Sequence, residues 1–194
     1  MKELIVALAF SMMASAVTAV PIQWTSASGG NDHWYDIETN LQNWDAARAD
    51  ATSRVWNGLQ GYLVSITSAA ENAFILNTFT PSAFGALWTG GTDAETEGTF
   101  VWADSPESTT PFYQNGRPTG YDQFVQGEPN DSLGAEDHVE IGFLGFYWND
   151  RPGEQPWGYI VEFGGIQTSP VPLPAGGLLL LGALGVLAVR RKKS

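Results

Sequence analysis

The sequence holds no cysteine in 194 residues. No disulfide can staple its loops, and a zinc site, which draws on Cys and His, has only His33 and His138 for material. Positive charge is nearly as scarce: Lys and Arg total 9 against 21 Asp and Glu, a formal charge of -12. Lys2 sits at the start and Arg190, Arg191, Lys192 and Lys193 at the end, so only Arg48, Arg54, Arg117 and Arg151 face 20 carboxylates in the body. That excludes nucleic acid as a partner, because phosphate binding needs a cationic face. An acidic body of this kind seeks cations or is held apart by its own repulsion. There is no internal repeat and no low-complexity block. Aromatic residues, by contrast, are abundant: eight Trp, ten Phe and six Tyr supply large core area for a chain whose length suits one domain and not two. With disulfides missing, bound metal ions are the remaining means of fixing loops.

Both ends read as addresses. Lys2, the apolar run from Leu4 to Val17 and the small residues of Val17-Thr18-Ala19 make residues 1–19 a secretory signal peptide, with a mature chain beginning near Val20. In residues 166–194, Pro170, Pro172 and Pro174 lead into an apolar stretch, Gly176 to Val189, and then the basic cluster. The stretch is shorter than the roughly 17–25 residues of a secure bilayer span, and its basic end would stay on the cytoplasmic side. The run from Val171 to Lys193, VPLPAGGLLLLGALGVLAVRRKK, resembles the VPLPA variant of the PEP-CTERM sorting tail. The resemblance implies that the tail holds an exported bacterial protein in the membrane until an exosortase-type enzyme removes it, often in bacteria that make extracellular polysaccharide. An ordinary C-terminal membrane anchor is the alternative. Either places the body, residues 20–165, outside the cytoplasm, at the cell surface or beyond it.

Within the body, Ser26 to Gly30 reads as a flexible leader. Asn43 before Trp44, Ala47, Ala51 and Val55 has the N-cap and the three-to-four spacing of an amphipathic helix. Tyr62 to Ile66 reads as a strand, and Ser68-Ala69-Ala70-Glu71 is a capping box opening a second helix through Phe74, Ile75 and Phe79. Beyond Pro81 the texture changes to strand-like runs at 87–88, 100–102, 138–141 and 158–163, separated by Gly-, Asp- and Pro-rich loops. Two helices followed by strands predict an α+β architecture. A loop as long as Asp104 to Asp137 is uncommon unless it does something.

The chemistry is concentrated in those loops. Asp93, Glu95 and Glu97 lie together, as do Glu128, Asn130, Asp131, Glu136 and Asp137, with Asn149-Asp150 shortly after. Oxygens so dense repel one another unless a cation shares them. Calcium suits them best, since it accepts six to eight hard oxygen ligands in irregular geometry. The loops lack the alternating acids, central Gly and terminal Glu of an EF-hand.

From about Trp34 to Phe163 these residues resemble the C-type lectin-like domain. Glu128-Pro129-Asn130 is similar to its EPN signature, Trp148-Asn149-Asp150 to its WND signature, and Thr92 to Gly98 to the loop before its first core hairpin. Gly61 to Ser68 with Glu71-Asn72 resembles its strand and second helix, and Tyr159 to Phe163 its closing strand. The resemblance implies an α+β C-type lectin-like fold with two helices, antiparallel sheets and a long calcium-binding loop region, here cysteine-free. It also implies one or two Ca²⁺ ions. The ligands for the sugar-binding ion would be Glu128, Asn130, Glu136, Asn149 and Asp150, with the Asp150 carbonyl added. Those for a neighbouring ion would be Asp93, Glu97, Asp131, Glu136 and Asp137. Two adjacent sugar hydroxyls would fill open positions on the first ion while hydrogen-bonding the Glu and Asn beside it. In this family the EPN order goes with mannose, glucose or N-acetylglucosamine, and a QPD order with galactose. Pro129 is expected to follow a cis peptide. One such contact would be weak, with a dissociation constant of about 1 mM, so retention on a glycan needs several copies.

Where the family pattern has cysteines, this chain has His138, Gly153 and Val161, with Trp56 near the remaining position. Contact of Val161 with Trp56 is an expected substitute for one bridge. No substitute is evident for the other, so the loop from Asn130 to Asp150 is expected to depend on calcium for its order. His138 itself reads as partly buried packing. Trp88, Trp102 and Trp148 read as core rather than as sugar-stacking platforms, and Glu95, Asp104, Glu107 and Glu154 as solvated charge.

These readings predict an exported protein whose partners are glycans or extracellular polysaccharide. A lectin-like module with purely structural calcium and a protein or ice partner is the alternative. An enzyme is disfavoured: carboxylates committed to calcium make poor general acids, and no Ser/His/Asp or Cys/His arrangement is evident.

Overall fold

A computed structural model describes residues 20–107 and 109–165. The signal-peptide and sorting-tail expectations therefore lie outside the described residues. Among the described residues no helix is long and apolar enough to cross a membrane, so a transmembrane helix has no support there.

The chain forms β1 (Ile22–Gln23), β2 (Trp34–Gln42), α1 (Trp44–Ser53), β3 (Val55–Trp56), β4 (Leu59–Leu63) and α2 (Ala69–Phe79). The second half adds β5 (Leu87–Thr92), β6 (Thr99–Trp102), β7 (Tyr113–Gln114), β8 (Arg117–Pro118), β9 (His138–Phe143), β10 (Tyr147–Arg151) and β11 (Trp157–Phe163). The α+β expectation holds. The strands join in the order β1-β2-β11-β5-β6-β7-β8; β4 branches from β11 to pair with β3, and β9 branches from β5 to pair with β10. All of these pairings are antiparallel except that of β11 with β5.

The helix starts follow their caps. Asn43 Oδ1 accepts from Ala46 N–H at 2.9 Å, and α1 buries Trp44, Ala47 and Ala51. Val55 does not continue that stripe: it belongs to β3 and is exposed. Ser68 Oγ accepts from Glu71 N–H at 3.2 Å, but the reciprocal half of the capping box is absent. Glu71 instead takes the N–H and hydroxyl of Thr67, at 2.8 and 3.0 Å. The expected strand at Tyr62 to Ile66 is offset, since β4 ends at Leu63.

Two further expectations are corrected. Ser26 to Gly30 is a turn, with Ser26–Ser28 a short 3-10 helix whose Ser26 N–H donates to Asp32 Oδ1 at 2.7 Å. It folds back because β1 pairs with β2, Ile22 opposite Tyr35. The stretch from Asp104 to Asp137 is partly regular: β7 extends the sheet from β6, with Thr99 opposite Gln114.

The core explains the missing bridges. Val161 is fully buried, and Trp56 packs against the cluster to which Val161 belongs. The other substitute lay hidden. His138 stacks on Trp44 with ring centroids 4.1 Å apart, and a Cβ on Gly153 would meet its Cδ2 at 2.5 Å. The imidazole thus fills the space that glycine leaves, and burial lowers its pKa and keeps it neutral. Trp88, Trp102 and Trp148 are core residues.

Candidate ion and ligand site

Trp148 anchors one side of the site. Its Nε1 donates to Asn72 Oδ1 at 2.9 Å, and its ring meets Trp102 edge-on at 5.6 Å. With that side chain locked in the core, the strand period carries Asn149 and Asp150 to fixed positions opposite Glu140 and Val139 of β9. The loop is tied to the same strand: Trp148 N–H donates to Gln123 O at 3.0 Å and Val125 N–H to Trp148 O at 3.2 Å. The Glu128–Pro129 peptide is cis.

Asp150 is fully buried, and it gathers the loop. Its Oδ2 accepts from Asn130 N–H at 3.0 Å and from Asp131 N–H at 2.8 Å. Glu136 Oε2 accepts from Ser132 N–H at 2.9 Å, while Glu136 N–H donates to Asp131 Oδ1 at 3.2 Å. Asp131 and Leu133 adopt left-handed φ of 45° and 65°, turning the chain around these carboxylates. Glu128, Asn130, Asp131, Glu136, Asn149 and Asp150 are thus brought into one site. Asn149 Nδ2 donates to the Asp150 carbonyl at 2.6 Å, so that carbonyl, expected as an ion ligand, already accepts a hydrogen bond.

Asp93, Glu97 and Asp137 form a neighbouring group. Asp93 N–H donates to Asp137 O at 3.1 Å, and Gly98 N–H to Asp93 Oδ2 at 2.9 Å. Burial, then the charges of Glu97 and Asp137, push the Asp93 carboxyl up to about 7 against the Gly98 hydrogen bond. Burial and Asp150 do the same to Glu128, also to about 7. Glu136 is raised by burial and Asp150 against its Ser132 hydrogen bond.

The donor set fits a hard cation: carboxylates and amides, without sulfur. One buried oxygen in each group, Glu128 Oε2 and Asp93 Oδ1, has no hydrogen-bond partner. Such an oxygen is costly unless something else compensates it. Among the described residues, His33, Glu107 and Glu162 are the group whose ligand atoms all lie within 4.8 Å of one another. None of the expected ligands belongs to it.

Sequence reasoning missed that group and the pair Glu140–Arg151. Glu107, expected as solvated charge, lies 3.2 Å from His33 Nε2. Glu140 is buried, with Arg151 Nε at 3.1 Å from its Oε1. A buried acid within a strand was the available signal for Glu140.

A cleft of about 440 Å³ opens beside Asp93, lined by Trp44, Arg48, Asp104 and His138 among others. It lies on the α1 side of Asp93, whereas the gathered loop carboxylates line none of it.

Comparison with known proteins follows the same lines. The chain is 30% identical over 166 residues to halomucin of Haloquadratum walsbyi, covering 78% of this chain and 2% of that protein, so it spans only a small part of that relative. It is 28% identical to a C-type lectin mannose-binding isoform of Notechis scutatus scutatus, covering 79% and 89%. Among solved structures, the C-type lectin CEL-I of Cucumaria echinata is 28% identical with a TM-score of 0.58, covering 70% of this chain and 92% of that one. The family profile described as Lectin C-type domain matches residues 40–163, and the chain belongs to that family.

Proposed function

We propose that this chain is an exported calcium-dependent carbohydrate-binding protein. Its site takes a vicinal diol of the mannose, glucose or N-acetylglucosamine type. Support comes above all from Asp150, whose carboxylate draws the Asn130 and Asp131 backbone onto the strand bearing Asn149. Glu128, Asn130, Glu136, Asn149 and Asp150 would hold one Ca²⁺; Asp93, Glu97, Asp131, Glu136 and Asp137 would hold a second. A bound ion supplies open coordination positions for two hydroxyls. The protein's part is orientation: the Glu128 carboxylate accepts from one hydroxyl, and the amide NH₂ of Asn130 or Asn149 donates to the other. The names of relatives agree, since one is a mannose-binding isoform and a similar solved structure, cow CD23, was determined in the presence of a GlcNAc2Man3 oligosaccharide.

The leader and tail belong to the same reading: export, transient membrane retention, and removal of the tail by an exosortase-type enzyme, leaving the domain on extracellular polysaccharide. No catalytic role is assigned to any residue.

A second reading has the calcium purely structural and the partner a protein or an ice surface. What favours it is that both Asp150 oxygens already serve the loop backbone. A glycan array with calcium and then with chelator separates the two. The first reading expects calcium-dependent retention of mannose-type sugars. It also expects Glu128→Gln with Asn130→Asp to move preference toward galactose. Melting and limited proteolysis report the ion itself: at a hundredfold excess over its dissociation constant, calcium adds about 2.7 kcal/mol. An unchanged melting curve and unchanged cutting of the 130–150 loop would overturn both readings.

A further inference from the structure

We propose that Arg151, held in place by Glu140, is the internal counter-ion of the loop site and sets how tightly that site takes a divalent cation. The inference rests on the calcium reading above.

Glu140 is only 1% exposed, and a carboxylate so buried demands a partner. Its Oε1 accepts from Arg151 Nε at 3.1 Å, while its Oε2 has none. The guanidinium also lies over the Phe143 ring, 5.7 Å from the centroid. Arg151 is therefore fixed on β10, immediately after the two ligand residues of that strand. Asn149 and Arg151 share one face of β10, and Glu140 stands opposite Asn149 on β9, so the guanidinium sits beside a ligand residue of the site.

No other cation does this work. The described residues contain no lysine and three further arginines. Arg48 is paired with Asp104, Arg54 with Glu38 and Asp50, and Arg117 lies exposed in β8. One guanidinium thus stands at the loop site, against Glu140 and beside Asn149. It offsets the negative charge gathered there when no ion is bound, and it repels an arriving divalent ion. Removing its charge should tighten calcium and loosen the calcium-free fold, two effects of opposite sign. A merely structural arginine would weaken both.

The test uses the full chain. Calcium titration calorimetry and melting in chelator are compared for the parent, Arg151→Gln and Arg151→Lys. Arg151→Gln is expected to bind calcium roughly five- to tenfold tighter and to melt lower in chelator, whereas Arg151→Lys, which keeps the charge, should stay within about twofold of the parent. Arg151→Met keeps an unbranched side chain beside Phe143 and reads the same charge effect should the Gln variant fold poorly. Unchanged or weaker calcium binding in the neutral variants, or equal tightening in Arg151→Lys, would overturn the inference while leaving calcium binding by the parent intact. A parent that takes no calcium would overturn it together with the reading beneath it.

Discussion

Where β2, β4, β11 and α2 meet, Glu71 and Glu162 are buried as deeply as any apolar core residue, yet all four of their oxygens are engaged. Glu162 has His33 Nδ1 at 2.7 Å from Oε1 and the Ser65 N–H and hydroxyl at 2.9 and 3.0 Å from Oε2. Glu71 has the Tyr35 hydroxyl at 2.7 Å from Oε1 and Thr67 on Oε2. His33 turns its second nitrogen to Glu107. In and around the loop site the acids are as dense, but Glu128 Oε2, Asp93 Oδ1 of the neighbouring group and Glu140 Oε2 of β9 are buried without partners. Acid content does not distinguish the two regions; the hydrogen-bond saturation of their carboxylate oxygens does. The first region is closed: its carboxylate oxygens are met by backbone, hydroxyl and imidazole groups, so the tightest cluster of ligand atoms is not the place where an ion is needed. The second is built with acceptors to spare.

The largest way to break that contrast is to remove an acceptor from the closed region. Glu162→Ala strands the Ser65 donors and His33 in the core and should cost roughly 3–5 kcal/mol in urea unfolding with chelator present. Added calcium should not restore it. A loss below about 1 kcal/mol would mean that the network is not what holds β11 to its neighbours.

A pH series sharpens the same region. Burial and the Glu162 charge raise the folded Glu71 carboxyl from its ordinary 4.5 to about 7. The folded state therefore holds this proton more tightly than the unfolded chain does. The stabilisation is fully present below about pH 4.5 and is lost as pH rises through about 7, a fall of up to about 3 kcal/mol. His33, raised by Glu162 against its own burial, adds a loss of the same sign. In chelator, Glu71→Gln should flatten the slope. A slope equal to the parent's would assign it to Asp93 and Glu128, whose carboxyls are raised in the same direction.

What was legible in the sequence follows range of interaction. Asn43 and Ser68 announce their helices because a cap acts over three residues. The expected ion ligands are visible as a group because most lie in one loop, residues 128–137, and on β10 shortly after it. The closed region is invisible for the opposite reason: His33 and Glu162 are separated by 129 positions, and neither stands in a pattern until β2 and β11 pair. Val55 misleads because the three-to-four spacing runs one residue past the turn that starts β3. Glu71 was legible as a capping residue and not as a network member, since Thr67 and Tyr35 compete for the oxygens that a capping box would use. The His138–Gly153 contact joins a ring to a missing Cβ, and neither residue signals the other.

The smallest expected effect carries the opposite sign and tests the contrast from the other side. Glu128 Oε2 is buried without a partner, and neighbouring Asp150 and Glu136 disfavour its charge. Glu128→Gln keeps the shape and removes that charge, so in chelator the variant should be as stable as the parent or gain somewhat. Part of the group remains open to water, which limits any gain to less than about 1 kcal/mol. On the calcium reading, the increase in melting temperature that the ion brings should shrink in the same variant, because a proposed carboxylate ligand becomes an amide. Glutamine at this position is thus expected to improve the empty fold and impair the loaded one, as where strain is kept for a ligand. Were Glu128→Gln instead to destabilise the protein in chelator as much as Glu162→Ala does, Glu128 would belong with the closed network, and the loop would lose the spare acceptor on which its reading as a site depends.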